Sequence, residues 1–197
     1  MTYTHQFGDI EGSQYILTIT TPEGSGTSTL LLSGEPITID YNLDKDIFKP
    51  LKLSGCSINV LTPDVMPDLY TSKQIDVTIE ITKDGNPFWY GFNTPNVYDQ
   101  DYQRRYDKMT IEAVDTISAL ENFKYTYIDG EDATSSFYDI IWHCFESIGT
   151  PIQQIRLGGN QDLLNSLYIR ESNFFDEDGE AISCRRVIEY ILQFLGL

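Results

Sequence analysis

Most of the residues able to do chemistry in this chain are carboxylates. The run Asp176-Glu177-Asp178-Gly179-Glu180 places acids at alternate positions beside a glycine, as calcium-binding loops do. An EF-hand loop needs glycine at its sixth position, and counting from Asp176 that position is Ala181, so a solvated acidic turn is expected instead. Glu112 with Asp115, and Asp99 with Asp101, are close enough in sequence to weigh as acid–base pairs. Glycosidases need two carboxylates facing across a cleft, and adjacency along the chain supplies no such facing. A helix cap accounts better for Asp115, and a solvated loop for Asp99 and Asp101. His143 and Cys144 are neighbours on a helical stretch, where their side chains diverge and cannot act as base and nucleophile. His5 lies near a terminus expected to be mobile. Cys56, Cys144 and Cys184 are far apart and lack metal-ligand or CxxC spacing, so buried free thiols in a reducing compartment are expected. GxSxG, HExxH and Walker-type loops are absent from the sequence. These residues imply no active site, metal or cofactor, and the chain is read as a non-enzyme.

The elements that would position such residues change character along the chain. Up to about residue 115 the pattern is of short strands. Tyr15 to Thr21, Thr27 to Leu32, Ile37 to Tyr41, Ser57 to Leu61 and Met109 to Val114 are extended runs separated by Gly/Pro turns. Ile75 to Thr82 puts Ile75, Val77, Ile79 and Ile81 on one face. Lys83-Asp84-Gly85-Asn86 reads as a tight hairpin leading into the return strand Pro87 to Phe92. Such a set predicts an antiparallel β-barrel or sandwich.

Beyond Asp115 the period becomes helical. Asp115 is placed to cap a short helix over Thr116 to Asn122. Phe137, Ile140, Ile141, Cys144, Phe145 and Ile148 form one apolar stripe, with Thr134, Ser135 or Ser136 as cap and Gly149-Thr150-Pro151 as stop. Leu167 to Arg170 reads as a short strand. Ser183 would cap a last helix whose inner face carries Val187, Ile188, Ile191, Leu192 and Leu195. The fold class expected is therefore α+β: a β-domain over 1–124, then a smaller helix-containing α/β domain over 125–197. The sequence stops at Gly196-Leu197, directly after a stripe in need of a partner. That marks the second domain as an incomplete first half, unless the stripe packs on the helix at 136–148.

Bulk properties narrow the function classes. The chain has 197 residues, and 30 acidic against 13 basic residues give a formal net charge of −17. That balance argues against gripping a nucleic-acid backbone, which takes clustered Lys and Arg. It fits solubility, or an acidic surface that lets a polyanion slide past. No run approaches the roughly 20 apolar residues of a membrane-spanning helix, and the first residues lack the pattern of a signal peptide.

One stretch resembles a known family. From Ile75 the sequence reads IDVTIEITKDGNPFWYGFNTPNVYDQDYQRRYDKMTIEAVDTISALENFKY. It is similar to phage and prophage tail proteins of the baseplate-hub type. Trp89, Gly91, Pro95, Tyr98, Tyr102, Tyr106, Ala113, Asp115 and Leu120 match a W-x-G, P-x-x-Y, Y-x-x-x-Y, A-x-D, x-x-x-L series. The run Phe48 to Cys56, Ser136 to Asp139 and Cys184 to Leu192 also fit. One departure is Thr116 after Asp115, where the family often has glycine after aspartate. The resemblance covers roughly residues 37 to 195, in loose motifs.

The resemblance implies an N-terminal β-barrel that packs around a threefold axis in a homotrimer and docks on the tail tube and other baseplate proteins. DNA would pass through the lumen without being bound. The chain would be made in the bacterial cytoplasm, end in the virion tail and make no membrane contact in this region. Successive strand residues alternate sides, so Trp89 should face one way and Tyr90 and Phe92 the other. Trp89, Tyr90, Tyr98, Tyr102 and Tyr106 are the candidate subunit-interface residues, with burial of both faces inside one chain as the competing assignment. The alternative to a tail component is a secreted or surface carbohydrate-binding or adhesin β-domain. A scaffold in front of a tail-associated hydrolase is a further possibility.

Overall fold

Alternation of apolar and polar residues gives the first 115 residues a sheet with one buried face. In the computed structural model, which describes residues 1–42, 50–62, 66–69, 71, 73, 75–94, 107–150 and 161–196, that face is the core of the first of two compact units. The strands of this unit are β1 (Thr2–Gly8), β2 (Gln14–Thr20), β3 (Thr27–Thr29), β4 (Leu31–Asn42), β5 (Leu53–Thr62), β6 (Thr78–Lys83), β7 (Asn86–Asn93) and β8 (Asp107–Asp115). They form one eight-stranded sheet in the order β3-β1-β2-β6-β7-β8-β5-β4. Along β5 every second residue is buried, with Cys56, Ile58 and Val60 joining Leu17 and Ile19 of β2 and Ile79 and Ile81 of β6 in a single cluster. The buried face thus packs largely on itself, which requires the sheet to curl.

Curling does not close it, and the expected antiparallel barrel or sandwich is corrected on two points. The sheet is mixed, because β3 runs parallel to β1. It also stays open: the end strands β3 and β4 are joined covalently through Leu30, yet no ladder pairs one with the other among the described residues. The β4–β5 register slips between Leu32 and Ile37, across Ser33-Gly34-Glu35-Pro36. Proline there has no N–H to give a ladder. The two runs expected at Thr27 to Leu32 and Ile37 to Tyr41 are thus divided differently, the break falling at Leu30.

The amino terminus is likewise corrected from mobile to paired. The Met1 ammonium donates to Thr21 O at 2.9 Å, and His5 Nδ1 lies 2.7 Å from Leu30 O. At the hairpin, Asp84 and Gly85 take φ of 50° and 78°, the left-handed pair that a tight two-residue connection needs.

The second unit, within residues 50–52 and 120–196, is mainly helical. Following α1 (Thr116–Ala119) of the first unit, it contains β9 (Thr134–Ser136), α2 (Phe137–Glu146), α3 (Gln161–Ser166), β10 (Tyr168–Arg170) and α4 (Cys184–Phe194). Ser136 caps α2 by accepting from Asp139 N, and Ser183 caps α4 by accepting from Arg186 N. The stripe of α2 buries Phe137, Ile140, Ile141 and Cys144. That of α4 buries Val187, Ile188 and Ile191, and the two helices pack on each other. No helix among the described residues is long and apolar enough to cross a membrane, which says nothing of spanning by strands.

Candidate functional site

Of the residues that carry the resemblance, Trp89, Gly91 and Asp115 meet Ser54 at the junction of β5, β7 and β8. Pairing aligns Ile81 of β6 with Trp89 and Ile79 with Gly91, so Trp89 and Gly91 share the core face. Glu80 and Thr78 oppose Tyr90 and Phe92 on the other face, as strand alternation predicts. Ladder partners then set Gly91 against Asp115 of β8, and Gly55 of β5 against Val114. The Trp89 indole Nε1–H donates to Ser54 Oγ at 3.0 Å. Ser54 Oγ–H donates in turn to Asp115 Oδ2 at 2.8 Å, and the Ser54 backbone N–H donates to the same oxygen. Asp115 Oδ1 accepts from Ser118 N at 2.7 Å, closing the first turn of α1. A carboxylate therefore joins an indole, a hydroxyl and a helix start through charge-assisted hydrogen bonds.

Gly91 is required by this packing. A Cβ at that position would fall on Val114 O and Trp89 Cη2, with Val114 C at 2.9 Å. The indole lies over the bare backbone of Gly91, and β8 approaches it from beside. W-x-G and A-x-D are thus parts of one packed unit, and Ser54 from the Phe48 to Cys56 run links them.

Of the candidate interface residues, Trp89 is 6% exposed, its ring in the core of its own chain. Tyr90 is half-buried on the opposite face, its ring edge-on to Phe92 at 5.7 Å. Burial pushes the Tyr90 hydroxyl pKa up, against a lowering hydrogen bond with Thr78. Phe92 is fully buried, on a strand that α1 packs against. Tyr98, Tyr102 and Tyr106 lie outside the described residues, as do Pro95, Asp99 and Asp101.

The remaining candidate groups serve local structure. Asp176 Oδ1 accepts from Asp178 N at 3.0 Å and Glu180 N at 2.8 Å, so this carboxylate builds the acidic turn. Glu112 accepts from Ser57 Oγ at 2.7 Å, and His143 Nε2 lies 2.9 Å from Thr126 Oγ1. Among the described residues no group of three or more His, Cys, Asp or Glu is arranged to hold a metal.

Sequence reasoning missed two features of the second unit. Glu171 is completely buried. Its carboxylate accepts from Ser135 Oγ at 2.5 Å, Ile128 N at 2.7 Å, Tyr125 Oη at 3.1 Å and Asp129 N at 3.5 Å. Burial opposes its charge, but these donors outweigh burial and hold the pKa below the ordinary glutamate value. Its partners lie 36 to 46 positions away, so no local pattern announces it. The other is an apolar groove of about 310 Å³ lined by Phe137, Tyr168, Ile169, Phe174, Tyr190, Ile191 and Phe194. Tyr168 and Phe194 stay 65% and 72% exposed beside it.

No family model and no curated protein matches the sequence. Among solved structures, the crystal structure of the 43 kDa tail protein of prophage MuSo2 from Shewanella oneidensis is weakly similar. Identity is 11%, coverage is 82% of this chain and 48% of that one, and the TM-score is 0.42. The chain spans about half the length of that protein. At this level of likeness, function has to be argued from the chain's own residues.

Proposed function

We propose that this chain is a non-enzymatic structural component of a phage-type tail, forming part of the baseplate hub that joins tail tube to tail tip. The observation that carries the proposal is the convergence of Trp89, Gly91, Ser54 and Asp115. These residues belong to the hub-like motifs, and they interlock in space although the linear pattern separates Ser54 from Asp115 by 61 positions. The separate motifs thus act as one packed cluster, which supports reading them together.

In this reading residues 1–124 form the hub-like part, 125–197 form a second, smaller domain, and copies associate as a homotrimer. Tyr90 contributes to the subunit interface together with Tyr98, Tyr102 and Tyr106. Trp89 acts from behind, fixing β7 so that Tyr90 is presented outward. The net charge of −17 suits a wall that repels the DNA phosphates passing it. A sugar-binding reading is less well supported. Sugars need several polar partners beside an aromatic ring, and among the groove's side chains only Tyr168 and Tyr190 offer hydroxyls.

Quantitative mass spectrometry of purified tail particles tests the proposal. A fixed copy number per tail compatible with threefold symmetry supports it. Absence of the chain from particles, with glycan binding by the isolated protein, overturns it in favour of an adhesin.

A further inference from the structure

The turn between β1 and β2 holds an aliphatic side chain out in water: Ile10, near its tip, is fully exposed. The turn itself is well bonded. Asp9 N donates to Ser13 O at 3.1 Å and Gly12 N to Asp9 O at 3.2 Å. Asp9 Oδ1 accepts from Glu11 N and Ser13 N, both at 2.9 Å. Its other oxygen, Oδ2, accepts from Tyr15 Oη at 3.3 Å and lies 4.0 Å from the Lys83 ammonium, which ties the turn to the sheet. These bonds fix the backbone in a shape that presents Ile10 outward. Glu11 stands exposed beside it and forms no ion pair with another described residue.

The second unit offers the converse surface, the apolar groove of about 310 Å³ between α2, β10 and α4, with exposed Tyr168 and Phe194 beside it. Two guanidinium groups flank it. Arg170 follows Tyr168 on the same side of β10, about 7 Å along the strand. It is exposed and forms no ion pair with another described residue. Arg186 has its Cζ 5.0 Å from the ring centroid of Tyr190, which lines the groove, and its Nη1 3.5 Å from Glu189.

We propose that this groove receives the β1–β2 turn of a second copy of the chain, with Ile10 seated in the apolar recess and Glu11 meeting Arg170 and Arg186. The groove has room for a branched aliphatic side chain, and the turn holds one ready with no further ordering to be done. Charge selects the same approach. At a net charge of −17 two copies repel each other over most of their surfaces, and contact is favoured where arginines stand opposite a carboxylate. The contact joins two different patches, so successive copies either close into a ring or grow as an open chain. Closure at three rests on the homotrimer of the tail reading, whereas the contact itself is measured on the isolated chain.

The test uses the full chain carrying the photoreactive residue benzoylphenylalanine in place of Ile10, mixed with a heavy-isotope-labelled chain that lacks the probe, then irradiated. The expected result is a dimer band on a denaturing gel. Peptide mapping should join position 10 of the light copy to heavy peptides containing Tyr168, Tyr190 or Phe194. Phe194→Asp in the heavy copy should abolish the cross-link while circular dichroism stays that of the parent. Glu11→Arg beside the probe should reduce the yield, and Arg170→Glu with Arg186→Glu in the heavy copy should restore it. Four outcomes overturn the proposal: no dimer band, a cross-link within one chain only, a cross-link to a different surface, or a yield unchanged by Phe194→Asp. Any of these, with the chain still present at a fixed copy number in tail particles, removes this contact and leaves the tail reading standing.

Discussion

Replacing Gly91 by alanine adds one methyl group where two strands and an indole already touch. The new Cβ would meet Val114 O and Trp89 Cη2, with Val114 C at 2.9 Å. Two of these atoms belong to the β8 backbone, held by the pairs Gly91↔Asp115 and Phe92↔Val114, so relief requires the ladder to move. Forcing a methyl into a packed site costs about 1–3 kcal/mol, and a rigid neighbour puts G91A near the upper end. At about 2–4 °C per kcal/mol for a chain of this size, the melting temperature should fall by about 6–12 °C. Differential scanning calorimetry on the reduced chain would read this directly. A double variant that also carries Trp89→Leu separates the two collisions, since leucine removes the indole but leaves the backbone contact. Its loss should be less than the sum of the single losses, with a coupling of about 0.5–3 kcal/mol. A melting temperature for G91A within about 1 °C of the parent would refute the packing argument, because a collision costing about 1 kcal/mol already shifts it by about 2–4 °C.

Other perturbations test neighbouring parts. Ser54→Ala leaves the buried Trp89 N–H without its acceptor and should cost about 1–3 kcal/mol in urea unfolding. Ser136→Ala removes the α2 cap that accepts from Asp139 N at 3.0 Å, for about 1 kcal/mol by the same assay. Glu171→Gln replaces an all-acceptor carboxylate with a group that can accept at one end only, at about 1–3 kcal/mol near neutral pH. The pKa of Glu171 is depressed, so its stabilisation is full above the ordinary value of 4.5 and is lost as pH falls through the folded value. The stability gap between parent and E171Q should therefore narrow as pH drops below about 4.5 in a pH series of urea melts. A gap that stays constant down the series would contradict the assigned role of the carboxylate.

What the sequence made legible was whatever depends on neighbours along the chain. Asp84-Gly85 announced its hairpin because few residues tolerate its dihedrals. Asp115, Ser136 and Ser183 announced helix starts because a capping side chain reaches only two or three residues ahead. The stripes of α2 and α4 followed from the helical repeat. Features set by distant partners stayed hidden. β1 has a polar sequence, THQ, and is held by its ladder with β2 and by the Met1 ammonium on Thr21. Whether the sheet closes depends on pairing between β3 and β4, which strand spacing does not encode. Trp89 was legible as a side-chain direction but not as a donor, since Ser54 is 35 positions away. Tyr90, on the face opposite the core, is the part of the candidate interface whose side-chain direction alternation alone could give.

The central claim, a structural role in the hub of a phage-type tail, is tested most directly by immunogold electron microscopy of particles released from the source bacterium, using antibody raised against this chain. The expected result is label confined to the distal end of a tail. Label on the bacterial surface, with none on particles, would contradict the claim.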